Sequence, residues 1–123
     1  MSSALERKYI LKSFLFIRHS FDGSREHEHA HSIEVNCTIK TDVHDMIDYD
    51  MVESTIKRSF DRYDNHYLND IDSLKENATI EHLGEVLCKE IDGNLYQLGY
   101  QMVRFEIGET PLRVYVITDE LRS

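Results

Sequence analysis

The feature that most constrains the fold is a strict alternation of apolar and polar side chains over residues 31–40. The apolar positions are Ile33, Val35, Cys37 and Ile39. Because successive side chains of a strand point to opposite faces, this pattern predicts a strand with one buried and one solvated face. Such a strand needs a partner strand beside it and an apolar layer over its buried face.

The partner strand lies just before it in the sequence. Residues 9–19, YILKSFLFIRH, are rich in aromatic and β-branched side chains, which predicts a strand largely buried on both faces. The segment FDGSRE supplies a turn signal between the two strands. We therefore predict that the two segments form an antiparallel hairpin.

Two amphipathic helices and two more strands follow. Residues 50–63 carry apolar side chains at i, i+3, i+4 spacing, with Asp50 as the predicted N-cap. Thr79 is the predicted N-cap of the second helix, which Gly93 and Asn94 are expected to end. Alternation at 103–107 and an apolar run at 112–117 predict the last two strands, separated by a GETP turn.

The element order ββααββ predicts an α+β fold. In such a fold, two helices cover one face of a four-stranded antiparallel sheet. A chain of 123 residues suits a single core, so we expect one domain over residues 1–123. Four strands leave two sheet edges, and exposed edges favour self-association.

Charge and composition exclude several classes of partner. A net charge of −9 disfavours nucleic acid and anionic membranes as partners. The sequence contains no apolar run long enough to cross a bilayer, and its start, MSSALERKY, is too polar for a signal peptide. Two cysteines argue against a disulfide framework and fit a reducing compartment, so we expect a cytoplasmic protein.

Histidines cluster at the facing ends of the predicted hairpin. His29 and His31 are two residues apart on a strand and should project to the same side, where His19 can reach them across the hairpin. Three imidazoles with a vacant fourth position are typical of a catalytic zinc site. From the spacing alone, a solvated histidine-rich strand end is the more common explanation, and His27 shares the same parity.

Six segments in order resemble the 6-pyruvoyl- and 6-carboxy-tetrahydropterin synthase family. The segments are FIRH, HAHSIEVNCTI, HDMIDYD, YDNHYLNDI, NATIEHL and GET. The family has AAH, HGH before a strand, G-M-V-x-D-F, L-D-H-x-Y-L-N-D, P-T-x-E and E-T at these places. The resemblance covers nearly the whole chain, with Asp48 at the aspartate of the third motif.

The resemblance implies a fold, a metal and a ligand. It implies the tunnelling fold (T-fold), in which trimers form a barrel, two trimers stack into a hexamer, and active sites lie between subunits. It implies Zn²⁺ held by His19, His29 and His31, with the side chain of a pterin substrate completing the coordination. Glu109 and Thr110 would anchor the pterin ring, a charge-assisted pairing that suits a carboxylate.

The departures from the family pattern fall on the proton-transfer groups. Arg25 stands where most members carry a cysteine base, whereas Glu26 stands where a subgroup carries a glutamate. Glu26 is thus the candidate base, with a surface carboxylate as the alternative. Asn65 replaces an in-register histidine, so the proton relay is either lost or taken over by His66 together with Asp64.

These residues support several functions. The first is a zinc-dependent, lyase-like enzyme acting on 7,8-dihydroneopterin triphosphate to give 6-carboxytetrahydropterin, as in queuosine-type deazapurine synthesis. The second is side-chain cleavage to 6-hydroxymethyl-7,8-dihydropterin, a folate precursor, with Glu26 as base. The third is a paralogue that binds zinc and a pterin without turnover. A metal-free oligomeric interaction module is the alternative from outside this family.

Overall fold

The computed structural model describes residues 7–20, 29–41, 46–72, 74 and 77–118, with His29 and Thr41 described by their backbone alone. Within these residues there are five strands and two α-helices. The strands are β1 (Arg7–His19), β2 (His29–Thr41), β3 (His66–Tyr67), β4 (Gln101–Thr110) and β5 (Arg113–Thr118). The helices are α1 (Tyr49–Phe60) and α2 (Ile80–Gln97), and a 3₁₀ helix (Leu68–Asp70) follows β3.

The predicted hairpin is confirmed and forms the centre of the sheet. β1 and β2 pair antiparallel without a shift of register from Arg7↔Thr41 to His19↔His29. The apolar positions of β2 form one fully buried face, as the alternation predicted. The register pairs Ile17 with His31, so this buried face leads directly to the histidine end of the hairpin.

The prediction that residues 9–19 are buried on both faces is wrong. Leu11 and Leu15 are buried, but Ile10 and Phe14 keep 60% and 64% of their surface exposed. The helices pack on the face that carries Leu11 and Leu15, and no described element covers the other face. The sheet therefore presents an apolar patch on β1 to its surroundings.

α1 begins earlier than predicted because Asp48, and not Asp50, is its N-cap. The Asp48 carboxylate accepts a hydrogen bond from the Met51 backbone N–H at 3.1 Å. Asp50 lies in the first turn, where its negative charge complements the helix dipole. The helix ends at Phe60, three residues before the predicted end, and the chain turns back toward the edge of β1.

α2 has the predicted start and a later end. Thr79 Oγ1 accepts a hydrogen bond from the His82 backbone N–H at 3.1 Å, which confirms this N-cap. The prediction that Gly93 ends the helix is wrong, because buried Leu95 extends the apolar stripe by one turn. Gly99, with φ of 89°, supplies the left-handed residue that stops α2.

The α+β class is confirmed, but the sheet has a fifth strand and is mixed. Its strand order is β3-β1-β2-β4-β5. The short strand β3 runs parallel to β1 and pairs at Ile17 and Arg18. Sequence periodicity does not reveal a two-residue strand, which explains why four strands were predicted.

Within the described part of the chain, neither helix is long and apolar enough to cross a membrane.

α2 lies close against the sheet at a position without a side chain. A Cβ atom on Gly84 would lie 2.7 Å from Cγ2 of Ile107, a β-branched residue of β4 that is fully buried. A Cβ atom on Gly93, two and a half turns further along the helix, meets no atom within 4 Å. The close approach at Gly84 holds the start of α2 over the ends of β4 and β5.

This pair of glycines gives a matched test of the packing. Both Gly→Ala substitutions gain about 1 kcal/mol of helix propensity, so their difference in unfolding free energy isolates the clash at residue 84. We expect Gly93→Ala to stabilise the protein and Gly84→Ala to be less stable than Gly93→Ala by about 1–3 kcal/mol. Urea unfolding followed by circular dichroism measures both, and equal stabilities would show that α2 does not pack this closely.

Candidate active site

The candidate site lies where β1 ends and β2 begins, beneath the start of α2. The hairpin register places residue 29 directly opposite His19, and His31 is two residues further along β2. The segment that leads into α2 passes over His19, and the β4–β5 hairpin approaches His31 from the other side. Four separate parts of the chain therefore meet at this end of the sheet.

His19 is fully buried and held by a backbone carbonyl. Its Nδ1 lies 2.6 Å from the Ala78 carbonyl oxygen, one residue before the α2 N-cap. Because a carbonyl can only accept, Nδ1 carries the ring hydrogen and donates it. In the neutral ring Nε2 then keeps its lone pair, which is the form in which histidine binds a metal.

His31 lies beside His19 and next to a carboxylate. The two imidazole rings are 5.0 Å apart between centroids and inclined at 73°. His31 Nδ1 is 3.4 Å from Glu109 Oε2, and the His31 side chain is 27% exposed. His31 and Glu109 therefore lie between the buried His19 and the solvent.

His19, His31 and Glu109 can supply ligand atoms to one metal ion. The nearest ligand atoms of the three residues all lie within 4.8 Å of one another. Two imidazoles and a carboxylate are donors that zinc accepts in catalytic sites. Residue 29, described by its backbone alone, pairs with His19 in the ladder. The donor set therefore fits zinc.

A cavity of about 530 Å³ opens beside these residues. His31 and Glu109 form part of its wall, together with Glu81 from the first turn of α2 and Arg113 and Tyr115 from β5. This volume lies within the usual range of about 300–1,000 Å³ for small-molecule sites. The cavity is thus large enough for a bicyclic ligand next to the histidines.

Tyr115 lines this cavity, and its hydroxyl is bound to a neighbouring carboxylate. Its hydroxyl donates a hydrogen bond to Glu85 Oε1 at 2.9 Å. That bond to a carboxylate raises the pKa of Tyr115 above its ordinary value, so the phenol stays protonated. Tyr115 therefore forms part of the cavity wall with its hydroxyl bound to Glu85.

The β4–β5 turn fixes the position of Glu109. A Cβ atom on Gly108 would lie 2.7 Å from the Arg113 backbone oxygen, so the hairpin can close this tightly only with glycine. Thr110 Oγ1 accepts a hydrogen bond from the Leu112 backbone N–H at 3.2 Å. The Thr110 hydroxyl therefore stabilises the turn while Glu109 extends toward His31.

Asp64 and His66 lie at a different place, along the outer edge of β1 where β3 pairs with it. The Asp64 carboxylate accepts a hydrogen bond from the Phe16 backbone N–H at 2.8 Å. Phe16 is three residues from His19, which corresponds to about 10 Å along a strand. His66 is exposed, and its Nδ1 lies 2.7 Å from the Asp64 carbonyl oxygen.

Two predicted site residues are not described by side chain. Glu26, the candidate base, lies outside the described residues, as does Arg25. Only the backbone of His29 is described.

The chain's two cysteines are both buried, and burial raises the pKa of Cys37 and of Cys88 to about 12. Neither thiol is in a state to act as a base near neutral pH.

Sequence reasoning missed the residues that surround the histidines. The Ala78 carbonyl carries no side-chain signal, and Arg113 was not singled out. Glu81, in the first turn of α2, lines the cavity but was not among the predicted site residues. The TIE motif at the helix start was the available signal, because it marked this turn as part of the family pattern.

Comparison with known proteins agrees with this architecture. The chain overlies the 6-pyruvoyl tetrahydropterin synthase of Caenorhabditis elegans with a TM-score of 0.78 at 14% identity, covering 97% of this chain and 99% of that one. An uncharacterised protein of Wolinella succinogenes gives a TM-score of 0.72 at 12% identity, covering 94% and 99%. At these identities the likeness concerns the fold.

A third solved structure is a catalytic-residue mutant of the 6-pyruvoyltetrahydropterin synthase of Plasmodium vivax, with glutamate replaced by alanine. It gives a TM-score of 0.63 at 12% identity, covering 94% of this chain and 98% of that one. The sequence itself matches the 6-pyruvoyl tetrahydropterin synthase family over residues 7–120, which is nearly its full length. The chain therefore belongs to the 6-pyruvoyl tetrahydropterin synthase family.

Proposed function

We propose that this protein is a zinc-dependent enzyme acting on 7,8-dihydroneopterin triphosphate, of the 6-carboxytetrahydropterin synthase type. The observation that carries the proposal is the convergence of buried His19 with His31 and Glu109 at the wall of a cavity. A fully buried imidazole whose Nδ1 is tied to a carbonyl is oriented as a ligand, and not as a solvated surface group.

In this proposal His19, His29 and His31 hold the zinc ion. The metal, when bound, acts as a Lewis acid toward the hydroxyl groups of the substrate side chain. The Ala78 carbonyl fixes the ring of His19, so this ligand requires no reorientation when the metal enters. The short span from Ala78 to the Thr79 cap holds that carbonyl in place at the start of α2.

Glu109 anchors the pterin ring in the cavity. A carboxylate pairs well with the guanidine-like edge of a pterin, since both partners can form two parallel hydrogen bonds. Glu109 is 32% exposed at its side chain and forms part of the cavity wall, so it is accessible to a ligand. Thr110 supports this anchor by holding the turn that follows it.

Proton transfer falls to Glu26 and to the Asp64–His66 pair. Because the Asp64 carbonyl accepts from His66, Nδ1 of His66 carries the hydrogen and Nε2 is the basic atom. The Asp64 carboxylate is engaged with the Phe16 backbone, so it holds the segment against β1. His66 is therefore the proton-carrying member of the relay, and Asp64 positions it.

The sheet edges support an oligomer with active sites between subunits. Among the described strands, β1 is paired on its second side only at Ile17 and Arg18, and β5 is the other outer strand. Exposed Phe14 on β1 and Val116 on β5 give these outer strands apolar surface. Pairing such edges between copies gives the barrel of the T-fold, as a trimer or a stacked hexamer, and brings His66 of one copy toward a neighbour's site.

Side-chain cleavage to 6-hydroxymethyl-7,8-dihydropterin is the second candidate. It is favoured by Arg25 in place of the cysteine base and by Glu26 one residue later. In the Plasmodium vivax enzyme, the residue replaced in the catalytic-residue mutant is a glutamate. A glutamate can therefore be a catalytic residue in a protein of this fold. A zinc- and pterin-binding paralogue without turnover is the third. In each case we propose that residues 1–123 form one domain of this family, and the free cysteines fit a reducing, cytoplasmic location.

Zinc content tests the metal centre. We expect protein purified without added chelator to hold one zinc ion per chain, measured by plasma mass spectrometry. His19→Ala and His31→Ala should each lose most of this metal, because each removes a ligand. His82→Ala, on α2 outside the metal cluster, should keep it. Full zinc in both ligand variants would contradict the assignment of these histidines.

Product analysis tests the reaction. Zinc-loaded protein incubated with 7,8-dihydroneopterin triphosphate should give a 6-carboxytetrahydropterin product, identified by mass spectrometry. A hydroxymethyl product would instead select the second candidate, and tight binding without turnover the third. Glu26→Ala should lower turnover by about 10²–10⁴-fold if Glu26 is the base. Unchanged turnover in that variant would remove Glu26 from the mechanism.

Substitution on the exposed face of β1 tests the assembly. Phe14→Glu places a charge beside the free edge, and burying a charge in an interface costs several kcal/mol without a partner. We expect the molar mass from light scattering to fall to that of a smaller species. Tyr96→Glu replaces a comparably exposed aromatic residue on α2, away from the sheet, and should leave the mass unchanged. A similar mass for both variants would place the interface elsewhere.

A further inference from the structure

We propose that Glu109 is a positioning residue for the metal centre as well as a wall of the ligand cavity. Its carboxylate holds His31 through Nδ1, which directs Nε2 of His31 toward the ion bound by His19. The inference rests on the zinc site proposed above and adds a second task to Glu109, which was assigned only to the pterin ring.

The first observation is the contact itself. Glu109 Oε2 lies 3.4 Å from His31 Nδ1, a distance at which a carboxylate and an imidazole attract each other. The residues come from different strands, β4 and β2, whose ladder ends at the pair Glu34↔Gly108. The contact therefore joins the β4–β5 turn to the histidine end of the hairpin.

The second observation is that His19 also has an oxygen beside its Nδ1. That oxygen is the Ala78 carbonyl, which His19 contacts at hydrogen-bond distance, 2.6 Å. The oxygen beside His31 Nδ1 belongs to the Glu109 carboxylate and lies at ion-pair distance, 3.4 Å. If both rings are held through Nδ1, both offer Nε2 to the metal, which gives the two histidines one common mode of ligation.

The two acceptors differ in charge, and this difference has a consequence. A carboxylate on the outer nitrogen of a metal-bound histidine increases the basicity of the ligand and fixes its orientation. His31 is partly exposed, so it lacks the enclosure by surrounding atoms that restrains buried His19. Glu109 thus supplies for His31 the restraint that burial and Ala78 supply for His19.

Each oxygen of a carboxylate can accept more than one hydrogen bond, so Glu109 can face His31 and still form paired hydrogen bonds to the ring. Oε2 is the atom near His31, and the cavity wall that includes Glu109 also includes Glu81 and Arg113. Loss of Glu109 should therefore weaken metal binding even in the absence of any pterin. An anchor that served the ring alone would leave zinc affinity unchanged.

The test measures zinc affinity by competition with a chromophoric chelator, without substrate. Glu109→Gln keeps the size of the side chain and removes its charge, and Glu109→Asp keeps the charge but shortens its reach. We expect both to bind zinc about 10–100-fold more weakly than the unmodified protein. Glu106→Gln on the same strand, outside the cavity wall, is the matched control whose zinc affinity should not change.

A cobalt spectrum separates positioning from direct ligation. With Co²⁺ in place of zinc, the visible bands report the ligand set. Saturated Glu109→Gln should keep the bands of the unmodified protein, because the ligands are unchanged. Altered bands would make Glu109 a ligand and overturn the inference. An unchanged zinc affinity in both Glu109 variants would overturn it too, while leaving the zinc site intact. Failure of the unmodified protein to bind zinc would overturn the proposed function itself.

Discussion

The register of the β1–β2 ladder is the constraint on which the rest of the structure depends. A shift by one residue would turn every side chain of one strand to the opposite face. The apolar positions of β2 are fully buried against the helices, so such a shift would expose the core. The same register sets His19 opposite residue 29 and Ile17 opposite His31. The packing of the core thereby fixes the position of the histidines.

The hairpin alone does not complete the site, because two other turns must close over it. The approach to α2 brings the Ala78 carbonyl to His19, and the β4–β5 turn brings Glu109 to His31. Glycine permits both approaches: Gly84 lets α2 lie against β4, and Gly108 lets the β4–β5 hairpin close. Close packing in the scaffold therefore positions the oxygen atoms that orient the two rings.

The parts of this structure that could be predicted from the sequence are those with a periodic or capping signal. Alternation of apolar and polar side chains predicted the hairpin. Helix-capping preferences predicted the Thr79 N-cap, and the spacing of apolar side chains predicted the two helices. The two-residue strand β3 and the choice of Asp48 over Asp50 depend on local backbone geometry, which periodicity does not report. The spacing predicted that His19 and His31 lie together, and the family resemblance predicted that they bind a metal. Ala78, by contrast, contributes a main-chain carbonyl that any residue type would supply.

Asn65 shows how the backbone limits where chemistry can move. Its φ of 62° lies in the left-handed region, which asparagine, aspartate and histidine occupy more readily than other side chains. Its backbone N–H also donates to the Phe16 carbonyl, which fixes this turn against β1. Asn65 therefore suits this turn but carries no titratable ring. His66 is the next residue, and the Asp64 carbonyl at its Nδ1 gives it a defined tautomer. In the proposed mechanism, His66 can therefore carry the proton from the position that follows this turn.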